Sequence, residues 1–128
     1  MMKKVVAFGS FDPLHVGHVD YFRQARALGD HLTVVVARDS AITASKKPKV
    51  HTTEAIRLKA VASANSVDLA ILGNEPGQYT ILDKLKPDII AIGYDQHIPS
   101  KLANILDKYK IVRLKPFHPE KYKSSLIT

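Results

Sequence analysis

The sequence predicts an α/β protein, a single domain built on a doubly wound, five-stranded parallel sheet. Three observations predict it. Short apolar runs recur along the chain, they are nearly continuous in Val, Ile, Leu and Ala rather than alternating, and segments of helical periodicity separate them. Continuous apolar strands are those buried on both faces, as in parallel sheets whose crossovers place helices above and below. Alternation of strand and helix implies the doubly wound arrangement. At 128 residues the chain fits one domain, residues 1–128, able to bury a core without staples.

The elements follow in order. Residues 5–8 (Val-Val-Ala-Phe) are the first predicted strand and residues 32–37 the second; residues 67–72, 89–92 and 111–114 are the third, fourth and fifth. Between the first two strands, residues 16–28 place Val19, Phe22, Ala25 and Leu28 on one side at helical spacing, with Gly29 as a left-handed cap. Residues 53–64 place Ile56, the Lys59 stem, Ala60 and Ser63 in register, with Thr52 or Thr53 as cap and Glu54 in the positive first turn. Residues 78–85 form a shorter helix ended by Lys86-Pro87, and residues 100–109 carry Leu102, Ile105, Leu106 and Tyr109 on one face. Segments 38–51 and 115–123 read as irregular. Both follow strands, and loops at the carboxyl ends of parallel strands are where ligands bind.

Composition narrows the chemistry. Cysteine is absent, which removes disulfides, thiolate metal sites and thiol nucleophiles. No apolar run reaches membrane-spanning length and no signal-peptide pattern follows Met1-Met2-Lys3-Lys4, so a cytoplasmic location with no membrane partner is expected. Nineteen Lys and Arg against twelve Asp and Glu give a net charge of +7, which attracts polyanions. The basic residues are dispersed, apart from Lys46-Lys47-Pro48-Lys49 and the tail, and no aromatic-rich ribonucleoprotein pattern accompanies them. Nucleotides and phosphorylated metabolites are therefore the expected partners, not nucleic acid.

The chemistry-bearing stretch is Gly9-Ser10-Phe11-Asp12-Pro13-Leu14-His15-Val16-Gly17-His18, where the first strand hands over to the first helix. Helix N-termini carry unpaired N–H groups and favour phosphate. Gly9 permits close backbone approach and Gly17 leaves room for a phosphate against the helix start. The dinucleotide fingerprint and the Walker A sequence are both missing, which weakens dehydrogenase and P-loop readings. His15 and His18 admit three readings: a metal pair with Asp12 as a third ligand, two capping or half-buried structural residues, or a phosphate-binding pair. The coincidence of glycine, helix start and histidines favours phosphate.

At these residues the chain resembles the cytidylyltransferase-like nucleotidyltransferases, the HxGH family. Gly9-Ser10-Phe11-Asp12 with His15-Val16-Gly17-His18 is similar to that family's long signature. Further along, Leu28-Gly29-Asp30, residues 34–39, Lys46-Lys47-Pro48 and Arg57 resemble its first helix end, second strand, basic loop and helical arginine. Residues 86–96, with Gly93-Tyr94-Asp95-Gln96, resemble the strand-four turn of archaeal FAD synthases and, less closely, of glycerol-3-phosphate cytidylyltransferases. Ser124-Ser125-Leu126-Ile127 resembles the start of the family's last helix.

The resemblance implies a Rossmann-like fold and transfer of a nucleoside monophosphate from ATP or CTP to a phosphorylated acceptor, with release of pyrophosphate. It implies catalytic roles for His15, His18, Lys47 and Arg57, and nucleotide binding by Gly9, Ser10, Phe11, Asp12, Gly17, Lys46, Gly93, Asp95, Ser124 and Ser125. Mg²⁺ or another divalent cation is the implied cofactor, with Asp12 and Asp39 as candidate ligands. FAD synthesis from ATP and FMN is the preferred reaction; glycerol-3-phosphate cytidylyltransferase and phosphopantetheine adenylyltransferase are the alternatives. A nucleotide-binding module without turnover is the non-enzyme alternative. Relatives often pair, so a homodimer is suggested by analogy. One departure stands out: the family's Arg-Thr-x-Gly-Ile-Ser-Thr segment is replaced by residues 117–123, and Lys121 or Lys123 would have to stand in for its arginine.

Overall fold

A computed structural model describes residues 2–12, 14–44, 52–75, 78–94, 96, 98 and 100–116. The chain runs β1 (Lys4–Gly9), α1 (Val16–Arg26), β2 (His31–Val36), α2 (Asp39–Ala44), α3 (Glu54–Ala62), β3 (Leu69–Leu72), α4 (Ile81–Leu85), β4 (Ile89–Ile92), α5 (Ser100–Leu106) and β5 (Lys110–Arg113). Five strands form one sheet in the order β3-β2-β1-β4-β5, and all four pairings are parallel. This is the Rossmann-like arrangement, and strand order reverses between β1 and β4.

Period-two alternation divides the strands between two cores. Val5 and Ala7 face the core that contains Phe22 and Ala25 of α1 and Val61 of α3. Val6 faces the other, with Leu82 of α4 and Leu106 of α5. β2 and β4 are buried along almost their whole length, as the continuous apolar runs require.

Strand starts are clamped by the residues that precede them. Asp30, before β2, accepts the Lys3 N–H at 2.8 Å while its own N–H donates to Lys3 C=O. Asp88, before β4, does the same with Lys4, and Asp68, before β3, with Leu32. Each carboxylate satisfies an amide at the amino edge of the sheet that no ladder partner reaches.

Four expectations are corrected. The segment after β2 contains a helix, α2, whose first turn carries Asp39. Val19 is 50% exposed, because α1 presents Phe22 and Ala25 to the sheet. Helix α3 is rotated from its expected face: Ile56 is 58% exposed, whereas Arg57 and Val61 are buried. A pattern search that admits only apolar residues to the core misses a buried arginine. Gly29 is not a left-handed cap; a Cβ there would lie 2.7 Å from Lys3 C=O and 2.8 Å from a Val5 methyl, so closeness to β1 is what requires glycine.

Candidate active site

The carboxyl ends of β1 and β4 open into a cavity of about 530 Å³ at the point where strand order reverses. Phe8 and Gly9 line it from β1, Ser10 and Phe11 from the loop that follows, His15, Gly17 and His18 from the start of α1, and Gly93, Tyr94 and Gln96 from the turn after β4.

The two histidines cap α1 reciprocally. His15 Nδ1 accepts the Gly17 N–H at 3.1 Å, and His18 Nδ1 accepts the His15 N–H at 3.2 Å. This is a capping box in which imidazoles replace the usual hydroxyl and carboxylate. The rings stack with centroids 3.7 Å apart and planes 27° from parallel. With both Nδ1 atoms accepting, the hydrogen-bond network assigns the ring N–H of each neutral imidazole to Nε2. The pair therefore forms a two-donor head at the helix N-terminus. The capping alternative is therefore borne by the Nδ1 atoms, which leaves the phosphate-binding alternative to Nε2 of the same rings.

Phe11 supports that head. It is 2% exposed, adopts φ 54° and meets His18 edge-on at 4.9 Å. Its ring covers Gly9 so closely that a Cβ there would lie 2.5 Å from it. Gly9 therefore admits a phenyl ring under the loop, a use distinct from the expected approach of a phosphate.

Arg57 is 1% exposed and organises three loops. Nε donates to Thr52 C=O at 3.0 Å, Nη1 to Ser10 C=O at 2.8 Å and Ala37 C=O at 2.6 Å, and Nη2 to Asp39 Oδ1 at 2.6 Å. Glu54, one turn before Arg57 on α3, accepts the Asp39 N–H and lies 3.8 Å from Arg38. Asp12 Oδ1 accepts both the N–H and the hydroxyl of Thr52, fastening the β1 loop to the start of α3.

Asp12 and Asp39 thus use an oxygen on protein donors, and among the described residues no group of three or more His, Asp or Glu could hold a metal ion. These carboxylates do not fit a protein-built divalent-cation cage, which needs several oxygens converging on one point. Lys46, Lys47, Asp95, Lys121, Lys123, Ser124 and Ser125 lie outside the described residues.

Several site residues carried no sequence expectation. The Tyr21 hydroxyl bridges the crevice, donating to Ala91 C=O at 3.0 Å and Phe8 C=O at 3.3 Å. Burial pushes its phenol well up. The Gln24 carboxamide pairs with both backbone groups of Lys115, docking the chain beyond β5 against α1. Arg113 Nη1 points at the carbonyls of Gly93, Tyr94 and Gln96, at 2.8, 3.3 and 3.3 Å. The available signal was polar residues with fixed neighbours in the motif helix and the last strand, but their partners lie 13 to 91 residues away.

Comparison with known proteins agrees with this geometry. A cytidylyltransferase-like family model matches residues 6–127. The chain is 47% identical over 102 residues to the FAD synthase of Methanosarcina acetivorans, covering 80% of this chain and 66% of that protein. It is 42% identical over 129 residues to the FAD synthase of Archaeoglobus profundus, covering 97% of this chain and 82% of that protein. The chain thus spans just under two thirds of the Methanosarcina protein's length. The crystal structure of the lipopolysaccharide core biosynthesis protein from Thermoplasma volcanium GSS1 superposes with a TM-score of 0.80 at 40% identity, covering 92% of this chain and all of that one. Sheet order, the histidine-capped first helix and the match over nearly the whole chain place it together: this protein belongs to the cytidylyltransferase-like family.

Proposed function

We propose that the protein is a nucleotidyltransferase that joins the AMP moiety of ATP to FMN, making FAD and releasing pyrophosphate. One observation carries the reading: two stacked imidazoles, each with its Nδ1 held by a backbone N–H, line a cavity at the carboxyl ends of β1 and β4. A phosphate oxygen of the acceptor attacks the α-phosphorus of the triphosphate in line, the bond to the β-phosphate oxygen breaks, and pyrophosphate leaves with the electron pair. Charge grows on the α-phosphoryl oxygens and on the bridging oxygen. His15 and His18 donate to it there, so catalysis is positioning and electrostatic stabilisation with no covalent enzyme intermediate. Lys46 or Lys47 neutralises the leaving pyrophosphate, Ser124 or Ser125 holds its terminal phosphates, and Asp95 serves the nucleobase turn. Arg57, buried among carbonyls, serves as a positioning residue for the β1 loop. The choice of FMN rests on the names of the similar archaeal proteins. A divalent cation, a homodimer and a cytoplasmic setting accompany this reading by analogy.

The test keeps the cap while removing the chemistry. Asn is a good helix N-cap and Gln a good third residue of a capping box. His15→Asn and His18→Gln should therefore fold normally, yet each should lower kcat for pyrophosphate release by about 10²- to 10³-fold, with a much smaller change in ATP affinity. The assay crosses ATP and CTP with FMN, glycerol 3-phosphate and phosphopantetheine. Full activity in both variants, or no turnover with any pair, rejects the enzyme reading; turnover only with another pair moves the acceptor.

A further inference from the structure

Gln96 lines the cavity from the turn after β4. Its carboxamide spans the crevice between β4 and β1: Oε1 accepts the Gly93 N–H at 3.0 Å, and Nε2 donates to Phe8 C=O at 3.2 Å. Only this orientation satisfies both backbone groups; the flipped amide would set donor against donor and acceptor against acceptor. The side chain thus presents a planar edge with an acceptor and an NH₂ donor on one carbon.

An aminated heterocycle presents the same edge. Adenine carries it at N1 and N6, and cytosine at N3 and N4. Guanine and uracil carry the reverse, a ring N–H beside a carbonyl oxygen. Proteins that read a base by its pairing edge discriminate through such patterns. Resting on the reading of the cavity as a nucleoside triphosphate site, we infer that Gly93 N–H and Phe8 C=O are the base-reading edge for a 6-aminopurine or 4-aminopyrimidine, and that Gln96 covers this edge as an internal mimic the base must displace.

Two observations favour displacement over a brace. The turn does not depend on the Gln96 side chain, because Arg113 reaches the carbonyls of Gly93, Tyr94 and Gln96 from β5. Nor would departure strand the β1 carbonyl, since the Tyr21 hydroxyl also donates to Phe8 C=O. Tyr94, 51% exposed beside Gly93, offers an aromatic face at the same rim for stacking. Gln96 then sets specificity by competition: a ligand gains only if it replaces both of its hydrogen bonds, which amino bases do and oxo bases do not.

Calorimetric titration of the full chain with ATP, CTP, GTP and UTP tests this. Wild type should bind GTP and UTP about tenfold or more weakly than the better of ATP and CTP, since mismatched polar groups would be left facing one another. Gln96→Ala should bind that better nucleotide roughly tenfold more tightly, as competition worth about one net hydrogen bond is removed. A brace predicts the opposite sign, so unchanged or weaker binding by Gln96→Ala overturns the inference, as does wild-type binding of GTP or UTP equal to that of ATP and CTP. The ¹⁵N side-chain amide resonance of Gln96 in wild type gives a readout independent of the variant's folding. It should move toward its solvent-exposed position on saturation with ATP or CTP, and a resonance that stays in place under saturation overturns the inference. If none of the four triphosphates binds wild type, the nucleotide reading fails together with this one; if ATP binds and turns over while Gln96→Ala does not tighten it, only this inference fails.

Discussion

Arg57 shows how much one buried residue does here. Its guanidinium supplies donors to three carbonyls and one carboxylate from three separate stretches of chain, which no local element could satisfy. Arg57→Ala removes those donors and leaves the Ser10, Ala37 and Thr52 carbonyls short of partners. We expect a loss of about 3 kcal/mol in denaturant unfolding. Arg57→Lys should recover only part of it, because a point charge reaches fewer of the acceptors that a planar fork does. If Arg57→Ala unfolds at the wild-type denaturant concentration, the loops are held by something else. The histidines make a related point. Each was legible in the sequence as a candidate for chemistry, and the Gly9-to-His18 spacing located the strand-to-helix junction. That both Nδ1 atoms would be taken up in capping the helix was not legible, because tautomers follow from hydrogen-bond partners and not from residue type.

At the scale of elements, the strands were the most readable part. The run at residues 89–92 matches β4 to the residue, and the others agree within a few positions, because continuous apolar stretches have few alternatives once turns flank them. Helix faces were less readable. α5 packs Leu102, Ile105 and Leu106 as its spacing indicated, and Tyr109, beyond the helix end, joins the same cluster. α3 turned instead to bury Arg57, leaving Ile56 in solvent. This rotation has a direct consequence in unfolding experiments: Ile56→Ser should change stability by less than about 0.5 kcal/mol, whereas Val61→Ala, at a fully buried position, should cost about 2 kcal/mol. Equal costs would restore the expected face. The aspartates before β2, β3 and β4 tie the strand starts through side-chain bonds to a neighbouring strand, and at β3 Asp68 lies within the expected run but ahead of the observed strand.

For the molecule as a whole, the reversal of strand order between β1 and β4 decides where everything meets. It leaves a crevice that Tyr21 and Gln96 bridge. Because burial raises the Tyr21 phenol in the folded protein, the unfolded chain gives up that proton first as pH rises. The contribution is complete below the ordinary phenol value of about 10 and is lost progressively above it. Stability should therefore fall on the alkaline side, and Tyr21→Phe should flatten that limb while costing about 1 kcal/mol at neutral pH. Parallel alkaline limbs in wild type and variant would show that Tyr21 ionisation is not linked to folding.

The amino-acid sequence by itself determined the alternation of strand and helix, the parallel sheet, the place of the strand-to-helix junction and, through its long motif, the family. All of these depend on residues close together in the chain, where periodicity, turns and capping act. Only the tertiary structure decided that Arg57 is buried, that Asp12 and Asp39 serve protein donors, and that Gln96, Tyr21 and Arg113 gather at the strand-order reversal. These outcomes depend on partners up to 88 residues apart, and a polar group's role is set by what desolvates it and what it bonds, which sequence neighbours do not specify.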